Sequence, residues 1–139
     1  MKPEVIHHEG YDPSINSLFV PALRVGNLVF VSGLTAAPTY HDHPHRPEDF
    51  DAIPADAEGQ ARRLFDNMDT VLRAIGAPRD QIVRLDRFFV DVGRDQDVVN
   101  RLQGEFLGGH LPTSTSVEVQ RLATDARLLF EINAIVVTD

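Results

Sequence analysis

The chain has 139 residues and a formal net charge of −8, and 42% of its side chains are hydrophobic and 24% charged. This length and composition predict one domain over residues 1–139 with a single core. The absence of cysteine excludes disulfides, thiolate nucleophiles and Cys-ligated metals, and the acidic charge disfavours a nucleic-acid partner because it repels phosphate backbones. The first residues lack the apolar core of a signal peptide and no apolar run reaches the ~18 residues of a membrane span, so we expect a cytoplasmic protein without membrane contact.

Two extended runs at residues 19–25 and 28–32 predict a β-hairpin near the start of the chain. They are joined by Gly26-Asn27, two residues that tolerate the positive φ of a tight turn. The second run breaks at Ser32-Gly33, where the pattern predicts a turn. Residues 37–54 contain four prolines, so this segment is predicted to be a long surface loop.

Two helices follow from apolar side chains that recur at helical spacing. The first is predicted over residues 57–75, with Asp56 as its N-cap and Gly76 as its stop. The second is predicted over about residues 95–107, ending at Gly108-Gly109. We expect the two helices to pack side by side.

Three later strands are predicted at residues 81–92, 114–120 and 127–137. The last two flank a polar turn at residues 123–125, which predicts a closing hairpin. The order is then β-β-α-β-α-β-β, an α+β fold with two helices on one face of a mixed sheet of about six strands.

The second face of the sheet carries more apolar side chains than two helices can cover, which favours an oligomer. The alternative is that these side chains belong to one core between the helices and the sheet. The residues concerned are Phe88, Val90, Val117, Val119, Phe130 and Ile132.

Short motifs recur in the order typical of a known family. They are Val29-Phe30-Val31-Ser32-Gly33, Asn67 in the first helix, Asn100 before Phe106, Ser114-Thr115-Ser116-Val117-Glu118-Val119 after Pro112, and Phe130-Glu131-Ile132-Asn133-Ala134. Over about residues 18–136 the chain resembles the RidA/YjgF family of enamine/imine deaminases. The resemblance implies a chorismate-mutase-like subunit, a homotrimer with clefts between subunits, and hydrolysis of reactive 2-imino acids to 2-keto acids and ammonia without metal or organic cofactor.

The resemblance also implies site residues. Glu131 would be the catalytic acid and base, since partial burial among apolar neighbours would raise its pKa; the alternative is a carboxylate on the rim of an edge strand. Ser32 and Gly33 would present a backbone N–H to a ligand, unless they form only a turn. Asn100 would bind the ligand or only fasten the second helix, and Tyr11 would cover the pocket.

The segment after the last proline departs from the family pattern. Deaminating members have Pro-Ala-Arg-Ser there, and the arginine grips the substrate carboxylate with a bidentate fork. Here Ser114 stands at the arginine position, followed by Thr115 and Ser116. Either these hydroxyls bind a different polar group, or another arginine, Arg24 or Arg121, reaches into the cleft.

The sequence therefore predicts a RidA-like hydrolase that deaminates a 2-imino acid, or a larger amino-diacid such as 2-aminomuconate, in clefts between subunits. Ser114 predicts weak activity on the smallest substrates. The missing arginine also favours an alternative, a non-catalytic trimeric protein that binds a small metabolite. The charge of −8 opposes a third possibility, ribonuclease activity.

Four of the histidines lie where they could take part in chemistry. His41, His43 and His45 alternate with Asp42 and Pro44, and imidazoles so close together are ligands in many metal sites. Alternate histidines on a loop broken by prolines rarely converge, so we predict no metal. His110 is near enough in sequence to Ser114 to line the cleft as an acid or base, or to lie on the surface.

Overall fold

The computed structural model describes all 139 residues. It contains two short 3₁₀-helices, Pro47–Phe50 and Arg79–Gln81, six strands and two α-helices. In chain order these are β1 (Glu4–Ile6), β2 (Ala22–Val25), β3 (Leu28–Leu34), α1 (Ala57–Ile75), β4 (Ile82–Phe89), α2 (Val92–Leu107), β5 (Thr113–Glu118) and β6 (Phe130–Val137). The fold is α+β as predicted, with β1 as one strand more than the predicted order.

The strand order in the sheet is β1-β2-β3-β6-β4-β5, and only the β4–β5 pair is parallel. The predicted closing hairpin is therefore wrong, because β5 and β6 do not pair. A parallel strand needs a crossover of a dozen or more residues, which α2 supplies. The polar strand β5 takes the exposed edge, while β6, in which every second residue is buried, takes the centre.

The β2–β3 hairpin is confirmed, with Val25 opposite Leu28 and Gly26 at a φ of +63°. The predicted turn at Ser32-Gly33 is wrong, because β3 continues through both residues. The register between β3 and β6 shifts there instead. Such a bulge bends a strand and redirects its side chains without ending it.

Both helices have the ends that local chemistry favours. Asp56 caps α1 and Gly76 ends it at a φ of +80°, as predicted. α2 begins earlier than predicted, at Val92, because the Asp91 side chain caps it and the Glu118 carboxylate accepts a hydrogen bond from the Val92 N–H. Neither helix is long and apolar enough to cross a lipid bilayer.

The helices cover one face of the sheet, where 22 buried residues form the main core. Phe130 and Ile132 belong to this core, so assigning them to the uncovered face was wrong. A second cluster lies under the loops on the other face, and Phe88, Val90 and Val119 pack against it. Apolar side chains nevertheless stay exposed on that face, namely Val5, Leu28, Phe30 and Val117.

Candidate functional site

The first feature of interest is a cavity of about 270 Å³ between the bulge of β3 and the start of β6. Ser32, Gly33 and Glu131, three of the residues predicted for the site, line it together. Its other walls come from Phe19, from the segment that follows β3, and from Ala123 and Thr124 in the connection between β5 and β6. One chain therefore brings the predicted catalytic carboxylate and two predicted binding residues into a single cavity.

Gly33 leaves the space that the Glu131 carboxylate occupies. A Cβ atom at this position would lie 2.7 Å from Glu131 Cδ, well inside van der Waals contact. The φ of Gly33 is not positive, so the turn conformation that the sequence suggested is not the reason for a glycine. The missing side chain lets the Glu131 carboxylate lie against the backbone of β3 and face the cavity.

The Glu131 carboxylate is half-buried, and burial raises its pKa above the ordinary value of 4.5. No hydrogen bond or ion pair within the chain offsets this shift. A carboxyl group with a raised pKa and free oxygens in a cavity is suited to exchange protons with a water or a ligand. The alternative of a freely solvated rim carboxylate does not fit this environment.

Ser32 supports the cavity wall with both of its donors. Its hydroxyl donates to the Val20 carbonyl at 2.6 Å, and its backbone N–H donates to the Pro21 carbonyl at 2.9 Å. The Ser32 N–H is therefore already used, and only the oxygen of the hydroxyl can still accept from a ligand. These bonds hold the segment that carries Phe19 beside the cavity.

Two amide side chains on α1, for which the sequence suggested no role, hold the cavity wall after β3 and the chain that leads into β6. Asn67 Nδ2 donates to the carbonyls of Thr35 and Ala37, at 2.9 and 3.0 Å. Gln60 is fully buried and bonds the Arg127 carbonyl and the Leu129 N–H, both at 2.9 Å. The two amides lie seven residues apart on one face of the helix, and such polar groups on an apolar stripe are the signal that could have found them.

Asn100 and Ser116 accept hydrogen bonds from a buried arginine on β4, Arg87, whose role was not predicted from the sequence. Arg87 is 7% exposed, and it donates to Asn100 Oδ1 at 2.7 Å and to Ser116 Oγ at 2.8 Å. Burial lowers its pKa, and no carboxylate pairs with it. Within one chain Asn100 therefore fastens α2 to the sheet, the second of the two roles considered for it. Arg87 lies between Leu85 and Phe89 on the buried face of β4, two residues from each. An arginine at such a position of a strand is the signal that could have revealed it.

Ser114 is far from Glu131 in the same chain. Ser114 is opposite Leu85 and Glu131 is opposite Phe88, so two strand spacings and three residues separate them, about 14 Å. The two lie on opposite faces of the sheet because Leu85 and Phe88 differ in parity. Ser114 is exposed on β5, and Thr115 accepts a hydrogen bond from Arg84 at 3.0 Å. The residues predicted on β5 do not share the Glu131 cavity in one chain.

Tyr11 lies outside the Glu131 cavity. Its ring stacks on His7 with centroids 3.6 Å apart, and both line a neighbouring cavity of about 340 Å³ with Tyr40. Phe19 is the residue that lines both cavities. The N-terminal segment is thus next to the candidate site without closing it.

The two arginines considered as substitutes differ in position. Arg24 donates to Thr138 Oγ1 and to the Ile75 carbonyl, which holds it at the end of α1. Arg121 donates to the Leu122 carbonyl and lines a cavity that shares Ala123 and Thr124 with the Glu131 cavity. Only Arg121 is close to the site.

The loop that carries His41, His43 and His45, called the histidine loop below, folds back on itself. The expectation that these histidines stay apart was therefore wrong. Nitrogen atoms of His41, His43 and His45 lie within 4.8 Å of one another. Arg46 closes the loop by bonding Asp42 at 3.1 Å and Asp49 at 3.0 Å.

Only one of these histidines, His41, also lines the Glu131 cavity, and burial lowers its pKa. His110 is held elsewhere, with Nε2 2.6 Å from the Ile82 carbonyl oxygen.

Comparisons with known proteins match nearly the whole chain. The Endoribonuclease L-PSP family model matches residues 12–138. A RutC family protein of Pyrococcus abyssi is 30% identical over 135 residues, 97% of each chain. A 2-iminobutanoate/2-iminopropanoate deaminase of Escherichia coli is 30% identical over 128 residues, 90% of this chain and 91% of that one. A solved structure from Pseudomonas aeruginosa, described as a protein of unknown function, is 27% identical with a TM-score of 0.80, covering 99% of this chain and 94% of its own. The similarity therefore includes every wall of the cavity.

Proposed function

Because this chain belongs to the Endoribonuclease L-PSP family, also called the RidA/YjgF family, we propose that it is a hydrolase that deaminates a reactive enamine or imine metabolite. The observation that carries the proposal is the Glu131 carboxylate, which lies against Gly33 with a raised pKa and faces the cavity. The Escherichia coli relative named as a deaminase supports the same reaction class.

The reaction needs one group that moves protons. Ionised Glu131 takes a proton from a water molecule as that water attacks the imine carbon, and the C=N π electrons move to nitrogen. Glu131 returns this proton to nitrogen, which gives the carbinolamine. It then transfers the proton of the carbinolamine hydroxyl to nitrogen as the C–N bond breaks, so ammonia leaves and the C=O bond forms. Overall, imine and water give ketone and ammonia. An imine is already electrophilic, so the steps need no organic cofactor.

We also propose that the working unit is a homotrimer in which a neighbouring subunit completes the cleft. Within one chain Ser114, Thr115 and Ser116 are two strand spacings away from Glu131, at about 14, 12 and 10 Å, and none of them lines its cavity. They would therefore join the site across an interface. The edge strand β5 is exposed along its whole length, and Phe30 and Val117 are exposed on the open face of the sheet. Buried against a partner, these groups would suit an interface.

The substrate would differ from the smallest 2-imino acids. Ser114 cannot form the two parallel hydrogen bonds of an arginine with a carboxylate. Arg121, beside the shared wall formed by Ala123 and Thr124, would meet a carboxylate that lies farther from the reacting carbon. A larger amino-diacid such as 2-aminomuconate has that second carboxylate.

The test of substrate class is the initial rate of ammonia release from freshly generated imines of increasing size. We expect the wild type to be slow on 2-iminopropanoate and faster on larger diacids. Ser114→Arg should raise kcat/KM on 2-iminopropanoate by about 30-fold or more, because that is the affinity gained from a charge-assisted hydrogen bond between an arginine and a carboxylate. Ser114→Lys is the matched control, since it adds the charge without the fork. A wild type that is already fast on 2-iminopropanoate would contradict this assignment.

A second candidate function, a non-catalytic binder of a small metabolite, is favoured by Ser114 alone. Glu131→Gln separates the two functions, because an enzyme loses turnover whereas a binder keeps its affinity for the ligand. Binding of stable 2-keto acids and diacids to both proteins, measured by calorimetry beside the ammonia assay, decides between them.

A further inference from the structure

Three imidazole rings meet at the turn of the histidine loop, outside the machinery assigned to deamination. Ring centroids of His41 are 5.1 Å from those of both His43 and His45, and the last two are 4.6 Å apart. One nitrogen from each ring lies within 4.8 Å of the others. A tetrahedral ion with metal–nitrogen bonds of about 2.0–2.1 Å places its ligand atoms roughly 3.4 Å apart. Small side-chain rotations would close that difference.

Hydrogen bonds to backbone carbonyls fix which nitrogen of two rings carries the proton. His41 Nδ1 is 2.9 Å from the Pro38 carbonyl oxygen, and His43 Nδ1 is 3.1 Å from that of Asn16. A carbonyl only accepts, so Nδ1 donates in each neutral ring and the lone pair is on Nε2. Histidine ligands of metals are oriented in this way, by a bond from the other ring nitrogen.

Two of these nitrogens are buried without a hydrogen-bond partner. They are His41 Nε2 and His45 Nε2, and the His41 residue is only 9% exposed. A buried polar nitrogen without a partner destabilises a protein. At His41, where Nδ1 carries the proton, the unpartnered Nε2 is a lone pair that can bind a metal ion. The nearby carboxylates do not fill this role, since Asp42 and Asp49 both accept hydrogen bonds from Arg46.

We propose that His41, His43 and His45 bind a divalent transition-metal ion of the zinc class. Imidazole nitrogen is a preferred ligand of zinc, copper and nickel, whereas magnesium and calcium prefer oxygen. Three histidines leave one coordination position for water or another ligand. Because His41 also lines the Glu131 cavity, the ion would fix the loop that forms one wall of that cavity.

The test measures Zn²⁺ binding to protein that carries no histidine tag and has been treated with a chelator. Calorimetry should give one Zn²⁺ per chain, and Zn²⁺ at 100 times its Kd should raise the Tm by about 8 °C. His43→Ala and His45→Ala should each weaken Zn²⁺ binding by roughly 100-fold. Removing a residue that only hydrogen-bonds to a metal ligand already costs about 10- to 100-fold in metal affinity, and removing the ligand itself should cost at least as much. Mg²⁺ should give no signal.

Control variants separate this site from other histidines and from the proposed active site. His7→Ala removes an exposed imidazole outside the cluster and should leave Zn²⁺ affinity unchanged, as should Glu131→Gln. Should either His variant fail to fold, the visible spectrum of Co²⁺ bound to the wild type still reports the site, because four-coordinate Co²⁺ absorbs far more strongly than six-coordinate Co²⁺. Absence of Zn²⁺ binding, equal binding by His43→Ala and wild type, or a six-coordinate Co²⁺ spectrum would overturn the proposal.

Discussion

At the scale of single residues, the candidate site depends on the pairing of one glycine with one carboxylate. Gly33 leaves the room that Glu131 occupies, and burial of that carboxylate raises its pKa. The resemblance to the deaminase family pointed to both residues. The predicted reason for Gly33, a turn, was wrong. Gly33 makes room for a side chain on the neighbouring strand, and a contact between strands cannot be seen in a local sequence pattern.

Gly33→Ala tests this pairing. The added Cβ would displace the Glu131 carboxylate, and a misplacement of about 1 Å at a reacting group costs roughly 100-fold in kcat. The matched control is Gly104→Ala, at an exposed position in α2 where a Cβ meets nothing. That variant should keep full activity and gain about 0.4–1 kcal/mol in free energy of unfolding. Equal activities of the two variants in the ammonia assay would contradict the assigned role of Gly33.

The raised pKa of Glu131 predicts a pH-dependent difference in stability between the wild type and Glu131→Gln. Burial disfavours the ionised form, so the folded-state pKa lies above the unfolded value near 4.5. Wild-type stability is therefore lost as pH rises from below 4.5 through the folded-state pKa, while glutamine does not titrate.

Urea unfolding of both proteins between pH 4 and pH 8, at one protein concentration, should show the variant gaining relative stability as pH rises. A difference that stays constant over this range would show that burial does not perturb Glu131.

At the scale of elements, α1 acts as the support of the cavity through two amides on one helical face. Asn67→Leu would leave the carbonyls of Thr35 and Ala37 without their donor and should cost about 1–3 kcal/mol in free energy of unfolding. It should also raise KM, because those residues line the cavity. Thr70→Ala, one helical turn further on and away from the cavity, should change stability by no more than about 0.5 kcal/mol. An unchanged KM in Asn67→Leu would contradict the supporting role.

Elements set by local chemistry could be predicted from the sequence, whereas those set by distant contacts could not. The ends of α1 at Asp56 and Gly76 and the turn at Gly26 follow from residues next to one another. The central place of β6, the buried Arg87 and the folding of the histidine loop depend on contacts between residues far apart in sequence. The same limit explains why β5 and β6 looked like a hairpin.

At the scale of the whole molecule, the open face of the sheet predicts the proposed assembly. Phe30 is 45% exposed in the single chain and would be buried in the trimer. Phe30→Asp should therefore shift the protein from trimer to monomer in sedimentation experiments and lower the activity with it, because burying an unpaired charge is costly. Ala74→Asp places the same charge on the exposed surface of α1 and should leave the trimer intact. A trimer that survives Phe30→Asp would place the interface elsewhere.

The most direct test of the account is kcat for ammonia release by Glu131→Gln, measured on the best substrate of the imine panel. Glutamine keeps the size of the side chain but cannot exchange the proton, so we predict a loss of roughly 10²- to 10⁴-fold in kcat, with the trimer retained and a Tm at neutral pH no lower than that of the wild type. A variant that deaminates as fast as the wild type would contradict the central claim that Glu131 is the catalytic acid and base.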